Sequence, residues 1–515
     1  MNSERVSDIL FSMRSKGVKI WAENGQLHYR SSKTTLSEGD ILTLKAMKDD
    51  ILTFITQPPS IRREASPVRR HPSDRIPLSF PQQYFWKFFE LEKRQSTKTV
   101  SAAVSLTGFL DTDHLQQSFK ILINRHEALR TRIRLADGFP EQYIVDISDY
   151  KVDSIDLTSL PQEKRQIEAR RLIENIVNEP TLVYEAPLFA ALLLKLEKSC
   201  HALLIATDHM ISDAASLGII WRDLFAIYSQ LVRGQPPSLP EITVQYPDYA
   251  VWQEKMHQLW MQEHHAYWTQ RLAGARHLQL LERKKVVDVP EARWATLPIQ
   301  FGKTLSSQLN EISRLSRSSL VMSVLTTFIA LASRVSNASD ITIPFSTGGR
   351  LYPEVNNTVG FFGTAILLRV ALFEEDTFLD LLRRVTQEYT TAYQHDDSWR
   401  LSVLTSCREL NSNTLFNWTP NEFNMKATGL GQASQACDSL TILPFEFTVD
   451  PRTNYDFDGE PALLFSDSKD GVVGTIVFRS DHFAANTVER LGHNLLRFSQ
   501  KLAEEPKRLV KTIDL

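Results

Sequence analysis

Cysteine is scarce in this sequence: Cys200, Cys407 and Cys437 are the only three among 515 residues. They are odd in number and widely spaced, and they have neither the CxxC nor the Cys/His spacing of zinc sites. This scarcity excludes a disulfide framework and indicates a reducing compartment. We therefore expect a cytoplasmic protein without a metal site.

Net charge and long apolar runs are missing as well. The 58 basic residues nearly balance 61 acidic ones, giving a net charge of −3, whereas nucleic-acid binding requires a basic face. The longest apolar stretches, 187–194 and 320–332, are too short or too polar to span a bilayer. The N-terminus lacks the apolar core of a signal peptide. We expect neither nucleic acid nor a membrane as a partner.

The sequence does contain a segment rich in proline and arginine. Residues 57–77 hold five prolines and five arginines, a composition that favours an extended linker over a folded core. A weaker proline-rich break lies at 230–245. The sequence therefore predicts a small unit at 1–57, a linker at 58–75, and a large region of two lobes at 76–245 and 246–515.

The small unit has the pattern of a helix, a hairpin and a second helix. Apolar residues between Ser3 and Lys16 follow helical spacing, and Gly17 ends that helix. Two short runs then flank Asn24-Gly25, a pair that strongly favours a tight hairpin turn. A second helix is predicted after Ser37. Because so short a unit buries little core, an adaptor role is favoured over catalysis.

The segment with the most chemical information follows two predicted strands, 188–196 and 202–206. The second strand leads into His209, and an amphipathic helix begins after Asp213. Loops at such positions present reactive groups from a rigid scaffold, and the near-neutral pKa of histidine suits a general base. Taken alone, the segment leaves two alternatives open: a structural histidine, and an aspartate that only caps the helix.

Residues 208–214 resemble the His-His-x-x-x-Asp-Gly signature of condensation domains from nonribosomal peptide synthetases, members of the chloramphenicol acetyltransferase-like superfamily. Other stretches are similar to the remaining motifs of that family in the same order, over about residues 76–515. These stretches are 78–86 (LSFPQQYFW), 125–132 (RHEALRTR), 246–253 (YPDYAVWQ), 347–350 (TGGR) with 359–362 (VGFF), 392–396 (AYQHD) and 415–417 (LFN). One motif would be weak evidence, whereas an ordered set is specific.

The resemblance implies an α/β (α+β) fold in which two chloramphenicol acetyltransferase-like lobes form a V-shaped pseudo-dimer with the active site in a tunnel between them. His209 aligns with the second, functionally central histidine of the signature. Asp213 aligns with the structural aspartate of the family, and we expect its arginine partner from the other half to be Arg350. Such a buried pair is costly to break, because the remaining charge would be uncompensated.

Three features depart from the family pattern: two single residues and one three-residue run. Asp208 stands in place of the first, mainly supportive histidine, and Ala214 replaces the glycine. The run 363–365 is Gly-Thr-Ala in place of the usual Val-Asn-Thr. These changes favour an unusual acceptor. Asp208 is predicted to support the active site, and the predicted tunnel residues are Ala214, Ser212, Gly363, Thr364 and Asn417.

In this family an acyl group arrives as a thioester on the phosphopantetheine arm of a carrier protein, and an amine or hydroxyl attacks it. The resemblance therefore implies an acyltransferase that forms an amide or an ester, with His209 accepting or positioning the proton of the nucleophile. It implies no cofactor bound by this chain, because the phosphopantetheine belongs to an upstream acyl or peptidyl carrier protein. The acceptor is a small molecule or is itself carried.

The sequence ends shortly after its last family-like stretch, without an adenylation or carrier domain. We therefore expect a free-standing enzyme, and a chain-releasing step fits this arrangement, as in the ester-forming type of enacyloxin biosynthesis. A non-catalytic module that docks carriers stays open, and so does an epimerisation or cyclisation domain. Cyclisation domains carry a pair of aspartates in the signature, so His209 argues against them. The run His395-Asp396-Asp397 is not predicted to bind metal, because neighbouring ligands rarely converge.

The small unit is similar to the β-hairpin docking domains of assembly-line proteins. Those domains bind a short linear motif at the C-terminus of the preceding protein by adding it as a strand. Basic residues on the hairpin suit an acidic tail, and a merely solvated basic surface is the alternative. The predicted docking residues are Lys19, Trp21, Leu27, Tyr29 and Arg30.

Overall fold

The structure is a computed structural model, and it describes residues 18–23, 26–31, 44–45, 47–48, 66–92, 100–147, 149–179, 183, 187–284, 294–393, 395, 414–418, 440–448 and 460–514. The chain separates into two compact units, Met1–Ser66 and Pro67–Leu515.

The small unit contains the predicted hairpin. Strand β1 (Val18–Glu23) pairs antiparallel with β2 (Gln26–Ser31), with Glu23 opposite Gln26 on either side of the Asn-Gly pair. The hairpin prediction is confirmed. The register places Lys19 opposite Arg30 and Trp21 opposite His28. The predicted helix at 3–16 lies outside the described residues, as does most of the second predicted helix.

The large unit alternates strands and helices, and its mixed sheets confirm the predicted α/β (α+β) class. Its described strands are β3 (Ile76–Pro77), β4 (Val100–Gly108), β5 (Thr131–Ala136), β6 (Phe139–Ile144), β7 (Asp153–Asp156), β8 (Phe189–Glu197), β9 (Cys200–Thr207), β10 (Trp294–Phe301), β11 (Asp340–Thr347), β12 (Thr364–Ala371), β13 (Phe416–Trp418), β14 (Leu440–Pro444), β15 (Ala462–Ser468) and β16 (Gly471–Arg479). Its described helices are α1 (Phe80–Glu92), α2 (Thr112–Arg125), α3 (Gln162–Asn178), α4 (Ala214–Val232), α5 (Tyr246–Leu272), α6 (Gly302–Leu315), α7 (Leu320–Ser336), α8 (Phe378–Tyr393) and α9 (Ala485–Glu504).

Three sheets organise these elements. A five-stranded sheet has the order β14-β4-β9-β8-β7, and a six-stranded sheet has the order β10-β16-β15-β13-β11-β12. Both are mixed: β7 runs parallel to β8, and β13 runs parallel to β11 and β15, while the other neighbours are antiparallel. A three-stranded sheet, β3-β6-β5, lies beside the first.

Strand β9 is the scaffold of the candidate site. It is third of five in its sheet and is buried from His201 to Thr207, which explains its nearly continuous apolar sequence. The following helix, α4, begins where Asp213 caps it, and it buries the predicted apolar face. The predicted strand–loop–helix is thereby confirmed, and the loop between β9 and α4 is fixed at both ends.

The two larger hydrophobic cores among the described residues of the large unit do not follow the chain order strictly. The first core runs from Leu78 to Trp252, and the second from Trp268 to Ile513. Residues 352–362 from the later part of the chain also pack into the first core, and β14 pairs with β4 at the edge of the first sheet. The two halves are therefore interlocked by crossing segments.

Part of the predicted linker packs on the large unit. Arg70 is half-buried and forms ion pairs with Asp248 (2.5 Å) and Glu127 (2.9 Å). Arg75 pairs with Glu141 at 3.1 Å. The arginine-rich composition indicates solvated charge, but at 67–75 carboxylate partners compensate the guanidinium groups, so the chain can lie against the protein.

In the described part of the chain, no single helix is both long and apolar enough to cross a membrane. Helices α6 and α7 pass that test only when taken together, and they meet at a bend of 105°.

Two neighbouring glycines after β11 differ in what the fold requires of them. Gly349 has a φ of +61°, and a Cβ atom there would lie 1.8 Å from the carbonyl oxygen of Phe362. Gly348 has no positive φ and nothing within 4 Å of such a Cβ. Only Gly349 is therefore demanded by the approach of the Phe362 backbone.

Replacing Gly349 by Ala should lower the free energy of unfolding by at least about 2 kcal/mol, because a left-handed Ala costs roughly 1–2 kcal/mol before the clash is added. Gly348→Ala is the matched control and should change the free energy of unfolding by less than about 0.5 kcal/mol. Denaturant unfolding of both variants checks the difference. Equal stabilities would show that the close approach of residues 349 and 362 does not constrain the fold.

Candidate active site

His209 lies in the turn between β9 and α4, and the buried residue Asp208 shapes that turn. The backbone N–H of Asp208 donates to the carbonyl of Leu188 (2.8 Å). Its side-chain Oδ1 accepts from the backbone N–H of Met210 (2.8 Å). Asp208 is therefore hydrogen-bonded to the backbone of Leu188 and of Met210, on either side of His209 in the turn.

The imidazole of His209 is half-buried between two aromatic rings from distant parts of the chain. The ring centroid of Phe85 in α1 lies 5.4 Å away, and that of Phe361, between β11 and β12, lies 4.6 Å away. The two phenyl rings meet each other edge to face at 5.0 Å. The buried Nδ1 has no hydrogen-bond partner among the described residues. Two aromatic rings therefore contact this imidazole, and no carboxylate among the described residues is hydrogen-bonded to it.

Burial is the main influence on the charge of His209. It lowers the pKa of the imidazole below the ordinary 6.5, against the opposing effects of the Asp213 charge and of the backbone of Ser212 and His209 itself. The imidazole is therefore mostly neutral at pH 7. Since only a neutral imidazole can accept a proton, the environment suits a general base.

Asp213 connects the two halves of the large unit. Its nearly buried carboxylate forms a two-armed ion pair with Arg350, at 2.7 and 3.0 Å. The same carboxylate caps α4 by accepting from the N–H of Ser216 (2.8 Å), and it accepts from the N–H of Phe362 (3.1 Å). The helix cap and the ion pair, which are alternatives on sequence alone, coexist in one side chain.

Burial alone would raise the pKa of Asp213, but the charge of Arg350 and the hydrogen bonds from Arg350 and Ser216 outweigh it, so the pKa lies below the ordinary 3.8. The carboxylate is therefore ionised at neutral pH. The guanidinium group of Arg350 also lies 4.4 Å from the ring centroid of Phe362, a cation–π contact that adds to the pair.

The segment Thr358–Phe362, here called the junction segment, is hydrogen-bonded along most of its length to the first core. Ser216 Oγ donates to the carbonyl of Gly360 (2.8 Å) and accepts from its N–H (2.9 Å). The hydroxyl of Tyr246 donates to the carbonyl of Phe361. A Cβ atom at Gly360 would lie 2.0 Å from the Tyr246 ring, so only glycine fits there. These hydrogen bonds hold the segment in the position in which the Phe361 ring contacts the imidazole of His209.

Three of the predicted tunnel residues lie next to Asp213. Ser212 is buried, and its hydroxyl faces the carbonyl of Asp213 at 3.4 Å. Ala214 is exposed in the first turn of α4. Gly363 lies beside Asp213 and Phe361, because a Cβ atom on it would be 4.0 Å from one and 3.7 Å from the other. These residues share the surroundings of His209.

The other two predicted tunnel residues lie in strands of the six-stranded sheet. Thr364 begins β12 and is opposite Thr347 of β11. Asn417 lies in β13, with Leu464 as its register partner. No contact between the described residues joins Asn417 to the turn of His209, so its place in the tunnel remains a prediction.

Gln82 supports the same turn, and the sequence pattern predicts no role for it. Its buried side-chain amide donates to the carbonyl of Met210 (2.7 Å) and to Oε1 of Gln142 (3.0 Å). Its own Oε1 accepts from the N–H of Ser79 (2.8 Å). The only sequence signal for Gln82 is its place among polar residues in the mainly apolar family-like stretch 78–86, and Phe85 in that stretch has the pattern of a core residue.

A second histidine forms a polar cluster of a different kind. His126 is fully buried, and its Nε2 lies 3.1 Å from Asp223, which also pairs with Arg125 at 2.9 Å. Burial lowers the pKa of His126, although Asp223 opposes this. The cluster joins α2 to α4, and a fully buried imidazole cannot meet a substrate, so its role is structural.

Among the residues that the structure describes, no three side chains of His, Cys, Asp or Glu are placed to hold a metal ion. His395 stacks on Tyr267 with ring centroids 3.9 Å apart. Asp396 and Asp397 lie outside the described residues.

The fold and the site define a condensation-type protein, and comparison with known families agrees. Residues 73–515 match the Condensation domain family, and the chain belongs to that family. Residues 6–57 match the TubC N-terminal docking domain. Condensation domains of nonribosomal peptide synthetases are acyltransferases that form amide bonds between substrates held on carrier-protein phosphopantetheine.

Similar curated proteins are much longer than this chain. A linear gramicidin synthase protein of Brevibacillus parabrevis is 31% identical over 452 residues, a match that covers 85% of this chain and 8% of that protein. Phosphinothricin tripeptide synthetase PhsC of Streptomyces viridochromogenes is 28% identical over 451 residues, covering 85% and 40%. The match thus spans less than half the length of either synthetase.

Solved structures share the fold at low sequence identity. The X-domain from teicoplanin biosynthesis matches with a TM-score of 0.72 and 19% identity, covering 87% of this chain and 99% of that one. The EpoB cyclization-docking bidomain from Sorangium cellulosum matches with a TM-score of 0.67 and 20% identity, covering 98% and 99%.

Replacing Arg350 by Ala should lower the free energy of unfolding by about 3–5 kcal/mol, because the Asp213 carboxylate would stay buried without its partner. Glu311→Ala is the control: its pair with Arg314, at 2.7 Å, lies on the surface, and its loss should cost less than about 0.5 kcal/mol. Denaturant unfolding at pH 7 measures both.

The same pair predicts the sign of a pH effect. In the wild type the pKa of Asp213 is lower in the folded state than the ordinary 3.8. The ionised carboxylate therefore stabilises the fold above pH 3.8, and this stabilisation is lost as the pH falls through the lowered pKa. In Arg350→Ala, burial without the guanidinium raises that pKa, so the destabilisation should shrink as the pH falls from 7 towards 4. If Arg350→Ala lowers the free energy of unfolding at pH 7 no more than Glu311→Ala does, the Asp213–Arg350 pair is not the stabilising contact that is predicted.

Proposed function

We propose that this protein transfers an acyl group from the phosphopantetheine thioester of an upstream carrier protein to an amine or a hydroxyl. The observation that carries the proposal is the environment of His209: a half-buried imidazole kept neutral by burial, at the end of a buried strand. Membership of the condensation family supports the reaction class. Asp213, Arg350 and Asp208 hold the site together and do not exchange protons.

The reaction needs no covalent intermediate on the protein. Because Nδ1 of His209 is buried, Nε2 is the nitrogen that meets the substrate. As the amine or hydroxyl attacks the thioester carbonyl, a C–N or C–O bond forms and Nε2 takes the proton of the nucleophile. The C–S bond then breaks, and that proton leaves with the carrier thiol. Holding both reactants together supplies much of the rate.

The partners follow from this chemistry. The acyl group comes on an upstream acyl or peptidyl carrier protein, so the chain binds no cofactor of its own. The C-terminal linear motif of that upstream partner adds to an outer edge of the β1–β2 hairpin, at Lys19, Trp21, Leu27, Tyr29 and Arg30. The match to the TubC N-terminal docking domain and the two-stranded sheet support this role for residues 1–57.

The acceptor is a small molecule or a carried group, and an ester-forming, chain-releasing step fits the altered acceptor side. Gly363 leaves space beside Phe361 and Asp213 that a larger residue would fill. A second candidate function is a non-catalytic docking module. It is favoured by one comparison: the teicoplanin X-domain, which shares this fold, has been solved in complex with OxyB.

Replacing His209 by Ala should reduce acyl transfer by at least about 100-fold, since the proton acceptor is lost. Intact-protein mass measurement of the loaded carrier, with and without acceptor, follows the loss of the acyl group. The control is His493→Ala, an exposed histidine on α9, which should transfer at the wild-type rate. The lowered pKa of His209 predicts that the acid limb of the wild-type pH–rate profile has its midpoint below pH 6.5. Undiminished transfer by His209→Ala would favour the docking module.

Deleting residues 1–57 should weaken transfer from the natural carrier by about 10- to 100-fold in KM, because the docking unit raises the effective concentration of its partner. Transfer from a small thioester mimic should stay near the wild-type rate. The same mass measurement with both donors separates docking from catalysis. An equal loss with both donors would contradict the docking role.

A further inference from the structure

Tyr246 links three family-like stretches of the chain through one hydroxyl group. It is the first residue of α5 and is fully buried. Its oxygen lies 2.6 Å from Ser79 Oγ and also contacts the carbonyl oxygen of Phe361. A carbonyl can only accept, so the Tyr246 hydroxyl donates to Phe361, and the Ser79 hydroxyl donates to Tyr246.

The carbonyl that Tyr246 holds belongs to the residue whose ring packs on the imidazole. The centroid of Phe361 is 4.6 Å from that of His209. Nδ1 of His209 makes no hydrogen bond of good geometry with the described residues, although backbone groups of Ser212 and of His209 itself act on the ring. Packing against Phe361 and Phe85 therefore contributes to the orientation of the imidazole.

We propose that Tyr246 is a positioning residue for His209: its hydroxyl fixes the backbone of Phe361, so that the Phe361 ring keeps the imidazole in its reactive orientation and shields it from water. The inference rests on the proposed function of His209. It adds a residue that never touches the substrate and acts through Phe361.

The ring of Tyr246 has a separate, structural role. It packs edge to face on Phe362 with centroids 4.9 Å apart, and it occupies the space that makes glycine necessary at 360. Tyr246→Phe keeps this ring and removes only the hydroxyl. The variant therefore tests the hydrogen bond to Phe361 without opening a cavity.

A matched control exists elsewhere in the fold. Tyr228 is also buried, and its hydroxyl accepts from the backbone N–H of Asp111 at 3.0 Å, far along α4 from the turn of His209. Tyr228→Phe removes a buried hydroxyl with a backbone partner, as Tyr246→Phe does. A general loss of stability should therefore be similar in the two variants.

The first measurement is steady-state transfer from the loaded carrier by the full chain. Tyr246→Phe should lower kcat about tenfold while KM changes less than about twofold, because binding surfaces are kept and only the base is displaced. The acid limb of its pH–rate profile should move up towards 6.5, since a loosened Phe361 lets water reach the imidazole. Tyr228→Phe should change neither. A kcat loss matched by Tyr228→Phe, or one accompanied by an unmoved acid limb, would overturn the proposal.

The second measurement does not require activity. Side-chain nitrogen NMR of histidine-labelled protein, with the His209 signal identified by its absence from His209→Ala, gives the titration of this imidazole directly. The His209 pKa should rise in Tyr246→Phe and stay at the wild-type value in Tyr228→Phe. If His209→Ala transfers normally, the proposed function fails, while this titration still decides the role of Tyr246. An unchanged titration in Tyr246→Phe would overturn the positioning role.

Discussion

One buried carboxylate governs how the two halves of the large unit meet. Asp213 is ionised away from water, and a charge in that position must be compensated by partners of good geometry. It finds them in the guanidinium of Arg350, the N–H of Ser216 and the N–H of Phe362. These groups belong to the loop after β11, the start of α4 and the junction segment. Displacing any one of them would expose the same uncompensated charge, so the three parts of the chain are held in one arrangement.

The surroundings of His209 depend on these contacts of Asp213, although the structure gives no hydrogen bond between the two side chains. Phe361 precedes Phe362 in the chain. The hydrogen bond from the Phe362 N–H to Asp213 therefore also places the Phe361 ring against the imidazole. A hydrogen-bonded carboxylate would raise the pKa of the imidazole and favour its charged form. Two phenyl rings contact it instead, and burial lowers its pKa. The aromatic contacts and the lowered pKa are therefore two results of one arrangement.

The sequence predicts the parts of this site that have a periodic or a charged signature. Strands β8 and β9, the loop of His209 and helix α4 follow from apolar periodicity, and the motif resemblance pairs Asp213 with Arg350. The roles of Phe85 and Tyr246 do not follow, because an aromatic residue in an apolar stretch has the same pattern whether it fills a core or supports a base. A hydrogen bond to a backbone carbonyl, such as that of Tyr246 to Phe361, cannot be predicted from the acceptor residue, because every residue type has the same carbonyl group. The crossing of β14 into the first sheet is a long-range pairing that local periodicity cannot report.

Three glycines around the junction segment separate two positions at which the fold requires glycine from one position at which the chain departs from the family pattern. Gly349 is required by its left-handed backbone and the nearby carbonyl of Phe362, and Gly360 by the ring of Tyr246. Gly363 has neither constraint: a Cβ atom there would make ordinary contacts at 3.7 Å or more. Glycine at 363 therefore leaves space beside Phe361 that the fold does not demand. Since the family resemblance expects a valine at this position, one departure of this chain from the family pattern lies in the space beside Phe361, whereas Asp213 and Arg350 keep that pattern.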